Sequence, residues 1–206
     1  MRLPTVLNVE GPVIVFGGGD VGLRKVEYLL TFNADVTVVD KRDIPLPEGV
    51  KLLRKHVSPE DLPDIIPEGT TLVVGALSSR EMNHAISQFC KEHGILVNVV
   101  DDPDVSTILF PALSKSGDIN VAVSTSGKAP FLARKIREEL DGRVEEYARW
   151  LEVLSPVRER LTGIEEKNRV LEMIYGDDET ARLVASGDVE GAKRRAWEVY
   201  DVHSEP

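Results

Sequence analysis

The sequence predicts an α/β protein with a doubly wound parallel sheet, followed by a small α+β unit and an all-α tail. Three observations predict it. Short apolar runs rich in β-branched residues (13–16, 36–39, 50–53, 70–74 and 95–100) alternate with amphipathic stretches, the rhythm of parallel strands joined by helices. The first run breaks into Gly17-Gly18-Gly19-Asp20-Val21-Gly22 and then resumes with helical spacing. After Asp101-Asp102-Pro103 the alternation stops, giving way to two extended stretches and a largely helical remainder.

Residues 1–12 read as a short lead-in. The glycines that follow fit G-x-G-x-x-G as Gly17, Gly19 and Gly22, and each has a mechanical job: a tight turn, backbone approach to a pyrophosphate, and close packing of helix on strand. The following helix offers its unpaired N–H groups and positive dipole end to phosphates. The second strand ends in Asp40, roughly 20 residues past the glycines, where a ribose hydroxyl is bound in a Rossmann-type dinucleotide fold. Lys41 and Arg42 beside it would suit a 2′-phosphate, but the carboxylate holds the fingerprint position, so NAD is the expected cofactor.

Ser58-Pro59 reads as a helix start, with Ser58 as cap and Pro59 in the first turn. Ser78-Ser79-Arg80-Glu81 matches a capping box opening a helix with Ala85, Ile86, Phe89 and Cys90 inward, and Gly94 closes it. Residues 107–113 read as extended, Gly117-Asp118 as a turn, and 119–124 as another strand. A helix then starts near Pro130 and runs to about Leu140. From Arg143 onward, Val144, Tyr147, Leu151 and Leu154 form a new helical stripe, and further helices are expected over 165–174, 179–185 and 189–200. The expected domains are 1–113 (cofactor), 114–142 (dimerisation and substrate) and 143–206 (helical).

Composition narrows the function. Hydrophobic residues make up 42 % of the chain, enough for a core. The formal net charge of −10 argues against nucleic-acid binding, and it means that an anionic substrate needs a local basic patch. No apolar run is long enough for a membrane span and no signal-peptide pattern opens the chain, so a cytoplasmic protein without membrane contact is expected. The single Cys90 lies in an apolar helix stripe and reads as a buried core thiol. His56, His84, His93 and His203 show no ligand spacing, and no metal site is expected. His93, just before Gly94, reads as complementing a helix C-terminus.

Four segments together resemble the precorrin-2 dehydrogenase family, known as stand-alone enzymes and as the N-terminal module of siroheme synthase. They are the glycine turn continued through Leu23-Arg24-Lys25; Asn98-Val99-Val100-Asp101-Asp102-Pro103; Phe110-Pro111-Ala112; and Val121-Ala122-Val123-Ser124-Thr125-Ser126-Gly127-Lys128-Ala129-Pro130 with Leu132-Ala133-Arg134. The resemblance implies NAD-dependent oxidation of precorrin-2 to sirohydrochlorin by a homodimer, with insertion of Fe²⁺ left open. The sequence departs from the family where Ala76-Leu77-Ser78-Ser79 replaces Ala-Thr-Asp-Asp; Ser78 reads there as the substitute cap.

Site expectations follow. Gly17, Gly18, Gly19, Asp20, Val21, Gly22, Asp40, Lys41, Arg42 and Ala76 are the cofactor-binding set. Asp101 lies at the carboxyl edge of the sheet, where a carboxylate base suits an oxidation that removes a hydride and a proton. Asp102 reads as a turn former before Pro103. The segment from Ser124 to Lys128 reads as an anion-binding nest, with Ser126, Lys128 and Arg134 as contacts for the carboxylates of the substrate. The rival reading is a non-enzymatic NAD(H)-sensing module.

Overall fold

The computed structural model describes residues 6–100 and 102–204, and it divides into two compact units, Met1–Phe110 and Pro111–Pro206. The first unit holds a five-stranded parallel sheet in the order β3-β2-β1-β4-β5. Its strands are β1 (Val13–Phe16), β2 (Val36–Asp40), β3 (Lys51–Arg54), β4 (Leu72–Gly75) and β5 (Leu96–Val99). The helices are α1 (Asp20–Leu30), the short α2 (Leu62–Ile65) and α3 (Arg80–Glu92). β1 and β4 are buried along their whole length, because helices cover both faces of the sheet. One cluster gathers Phe16, Val39, Ile86 and Cys90, and another gathers Val15, Val26, Val38 and Val74. Burial pushes the Cys90 thiol up to about 12, as befits a core residue.

The chain order reverses between β1 and β4. Such a switch point opens a crevice at the carboxyl ends of the strands. Here it lies between the loop after β1, residues 17–19, and the loop after β4, residues 76–79. The ladder runs on into both loops: the Gly17 N–H donates to Val39 O at 2.8 Å and the Ala76 N–H to Phe16 O at 2.8 Å.

Residues 107–113 are not one strand. Thr107 and Ile108 turn their N–H groups back to Val97 O, and Ile108 and Phe110 pack onto the sheet core. Their apolar side chains cover the first unit instead of pairing with another strand. The strand that follows is β6 (Ala112–Ser116), which pairs antiparallel with β7 (Ile119–Val123) across the Gly117-Asp118 turn.

In the second unit this two-stranded ladder packs on α4 (Pro130–Arg160), a single helix that passes without a break through the expected boundary at 142/143. Ser114 donates to Asp141 Oδ1 at 2.6 Å and Arg137 to Asp141 Oδ2 at 2.7 Å, tying β6 to the helix where a break was expected. The buried line of α4 is Val144, Ala148, Trp150, Val153 and Val157, and Tyr147 of the expected stripe is exposed. α5 (Ile164–Tyr175), α6 (Asp178–Ser186) and α7 (Val189–Ser204) complete a helical cluster around Trp150, Ile174 and Val184. Trp197 is half-buried there, with the Arg160 guanidinium over its ring. Among the described residues, no helix is long and apolar enough to cross a membrane.

Candidate functional site

The glycine turn is shaped by its neighbours. Gly17 has φ +99°, and a Cβ there would collide with Ala76 O, so the loops after β1 and β4 touch backbone to backbone. A Cβ on Gly22 would collide with Gly17 O, which brings α1 tightly against the end of β1. Gly19 is different: nothing lies within 4 Å of the position its Cβ would take. Gly19 is also the N-cap of α1 and carries no side-chain cap, while Asp20 is exposed and Val21 half-buried in the first turn. Open space in front of uncapped N–H groups is the shape that a diphosphate requires, and these residues fit a dinucleotide.

Asp40 closes the other side of the turn. It is 7 % exposed, and its Oδ2 accepts the Gly18 N–H at 2.8 Å. Arg42 grips the same carboxylate in fork geometry: its backbone N–H and Nε donate to Oδ1 at 2.9 and 3.0 Å, and Nη2 donates to Oδ2 at 3.1 Å. These bonds, with the Arg42 side chain foremost, hold the Asp40 carboxyl far below the usual carboxylate range. The carboxylate thus organises the glycine turn and is covered by a cation whose own side chain is largely exposed. Lys41 is exposed beside it.

The loop after β4 is set from α3. Asn83 is buried and clamps the Leu77 peptide, its Oδ1 accepting from Leu77 N at 3.1 Å and its Nδ2 donating to Leu77 O at 2.9 Å. The Leu77 side chain packs on the sheet core, which explains an apolar residue there. The cap of α3 is Ser79, not Ser78: Ser79 Oγ accepts the Met82 N–H at 3.2 Å, and Ser78 is exposed. One register later in the chain, Ser79 still has a first-turn N–H within reach. The far end agrees with the sequence, since His93 donates from Nδ1 to Phe89 O at 2.8 Å and Gly94 takes φ +70°.

Asp101 lies outside the described residues. Asp102 follows it at the carboxyl edge, and its side chain does not form the expected local turn. Its Oδ2 accepts from His84 Nε2 at 2.8 Å and from Arg80 Nη2 at 3.3 Å, both on α3. The His84 bond, then the Arg80 bond, lower the Asp102 carboxyl. Sequence reading passes over this cluster, because its members sit 18 and 22 residues from Asp102 and share no local pattern.

In the second unit, the loop before α4 contains successive left-handed residues, Ser126 (φ +55°) and Gly127 (φ +81°). Its N–H groups are largely spent within the loop: Ser126 N donates to Ser124 Oγ, Lys128 N to Thr125 O, and Ala129 N to Thr125 Oγ1. These bonds take up most of the N–H groups that the expected backbone nest would offer. Lys128 is exposed and makes no ion pair among the described residues. Arg134 stands over the Phe131 ring, 5.4 Å from its centroid, and 3.8 Å from Glu138. Arg137 is committed to Asp141. Among the described residues, no three His, Cys, Asp or Glu side chains are grouped to hold a metal ion.

Comparison with known proteins agrees with this layout. A family model described as "Putative NAD(P)-binding" matches residues 6–112, and one described as "Sirohaem biosynthesis protein central" matches 117–143. The chain is similar to "Siroheme synthase" of Pseudoalteromonas translucida (strain TAC 125), 29 % identical over 99 % of this chain and 44 % of the relative. It is also similar to "Siroheme synthase 2" of Aeromonas hydrophila subsp. hydrophila, 34 % identical over 93 % of this chain and 42 % of the relative. The chain therefore spans less than half the length of these curated relatives. Among solved structures it is similar to "SirC, precorrin-2 dehydrogenase", with a TM-score of 0.67 and 25 % identity over 94 % of this chain and all of that one. The glycine turn, Asp40 and the parallel sheet that carries them all fall inside the first match, which alone covers more than half of the chain, and the chain belongs to this NAD(P)-binding family.

Proposed function

We propose that the chain oxidises precorrin-2 to sirohydrochlorin with NAD⁺ as acceptor, in siroheme biosynthesis. The observation that carries the reading is the carboxyl-edge crevice. An open glycine turn faces a buried carboxylate there, in a chain similar over nearly its whole length to a precorrin-2 dehydrogenase. Bound NAD⁺ supplies the hydride-accepting ring, and the balance is precorrin-2 plus NAD⁺ giving sirohydrochlorin, NADH and a proton.

The chain's own residues do the rest. Gly19, Asp20, Val21 and Gly22 bind the diphosphate through backbone N–H groups at the start of α1, while Gly17 and Gly18, whose N–H groups are held by Val39 O and Asp40 Oδ2, shape the turn and Ala76 walls it. Asp40 takes the ribose hydroxyls as the Arg42 side chain moves off it, and Lys41 remains at the solvent edge. Asp101 accepts the proton that leaves the substrate. Ser126, Lys128 and Arg134 hold carboxylate arms by charge-assisted hydrogen bonds.

The proposed division of labour is a cofactor domain over 1–113, a dimerisation and substrate domain over 114–142, and a helical domain over 143–206. β6 and β7 form a sheet of only two strands, and Phe131 and Leu132 at the start of α4 are 64 % and 50 % exposed. Unpaired strand edges and exposed apolar side chains support a homodimer. Anaerobic incubation with precorrin-2 and NAD⁺, followed by absorbance, tests the reading. Turnover supports an enzyme, and NAD⁺ binding without turnover supports the sensor instead. The same mixture with Fe²⁺ tests chelation.

A further inference from the structure

The segment after β2, residues 41–49, forms neither helix nor strand, yet two of its side chains turn inward. Ile44 and Leu46 are half-buried between exposed neighbours, and both pack on the cluster that holds Val15 and Val38. Ile44 also reaches the glycine turn. A Cβ on Gly18 would collide with Ile44 Cδ1 and would lie 3.4 Å from Val38 Cγ1. The tip of Ile44 thus fills the place that a side chain at Gly18 would take. Gly18 does not have a left-handed backbone, and its N–H bond to Asp40 Oδ2 is open to any residue but proline. The glycine is needed there for space, and the space is taken by Ile44.

Asp40 and Ile44 therefore meet the same residue of the turn, one position before the open space at Gly19. The adenine of NAD⁺ hangs on the ribose that Asp40 would take, so its ring falls close to that carboxylate. Sites for such rings are lined mainly by apolar side chains, with a few polar groups to orient them. Around Gly18 the polar groups are Asp40 and Arg42, and Ile44 is the apolar one at the turn. We propose that Ile44 is the adenine contact of the cofactor site, packing on one face of the ring. The inference rests on the reading of the glycine turn and Asp40 as the NAD⁺ site. It requires nothing of the substrate.

The test measures calorimetric affinity for NAD⁺ and for ADP-ribose, which lacks the nicotinamide, together with the thermal midpoint. The variants are Ile44→Ala, Ile44→Val and Leu46→Ala. Ile44→Ala is expected to weaken both ligands equally, by about tenfold, because the lost contact lies in the half that they share. Ile44→Val, which removes one methyl group, is expected to weaken both by about threefold. Leu46→Ala loosens the same segment, and is expected to lower the thermal midpoint while leaving both affinities intact. If Ile44→Ala does not fold, Ile44→Val decides. Unchanged NAD⁺ affinity in a folded Ile44 variant overturns the proposal, as does a loss confined to NAD⁺. An equal loss in Leu46→Ala also overturns it, by assigning the effect to the stability of the segment. Wild-type protein that binds neither ligand overturns the cofactor reading, and this proposal with it.

Discussion

One carboxylate, Asp40, faces two demands: it fixes the Gly18 N–H and it is neutralised by Arg42. Removing its charge while keeping its shape releases the guanidinium. Asp40→Asn is therefore expected to shift preference from NAD⁺ toward NADP⁺ by at least about tenfold, or ~1.4 kcal/mol, as Arg42 becomes available to a 2′-phosphate. Calorimetric titration with both cofactors checks this, and an unchanged preference would assign the pair to turn structure alone. Asp101→Asn is expected to lower kcat by about 10²–10⁴, the usual contribution of a general base, with NAD⁺ affinity nearly unchanged. Near-wild-type turnover would leave the proton to water or to a substrate carboxylate. The glycines and Asp40 are legible in the sequence because their spacing is set by a single β-α-β unit. The hold of His84 and Arg80 on Asp102 is not, because it joins a helix to a loop beyond the next strand, where only the folded chain brings them together.

At the scale of elements, strands and helices of the sheet are readable because each buries a repeating apolar pattern. The difficulty lies where local signals conflict with packing. Asp141-Gly142 looks like a helix end, yet an exposed glycine costs a helix only about 1 kcal/mol. The bonds of Ser114 and Arg137 to Asp141, and the burial of Val144 and Ala148, carry α4 through it. Ile108 and Phe110 look like strand residues, but they cover the sheet core instead. The cap of α3 was displaced by one residue from its expected position for a simpler reason: two adjacent serines satisfy the same rule. Ser79→Ala is expected to destabilise the protein by about 1 kcal/mol and Ser78→Ala by much less, measured by urea unfolding. The reverse order would contradict the assignment of the cap.

At the scale of the whole molecule, the chain carries its charge unevenly. Against a net −10 overall, Lys128 near the start of α4 makes no ion pair among the described residues, while Lys135 and Arg134 share Glu138. That contrast suits a polycarboxylate drawn to one local site. The two-stranded sheet and the exposed Phe131 and Leu132 lead to a further expectation, a dimer mass by light scattering at micromolar concentration; a monomer mass would contradict it. The central claim is the oxidation itself, and its stoichiometry tests it most directly. Anaerobic reaction of the purified chain with precorrin-2 and excess NAD⁺ is expected to form one NADH for each sirohydrochlorin, read by absorbance at both chromophores. Folded protein that binds NAD⁺ yet yields neither product would contradict the account.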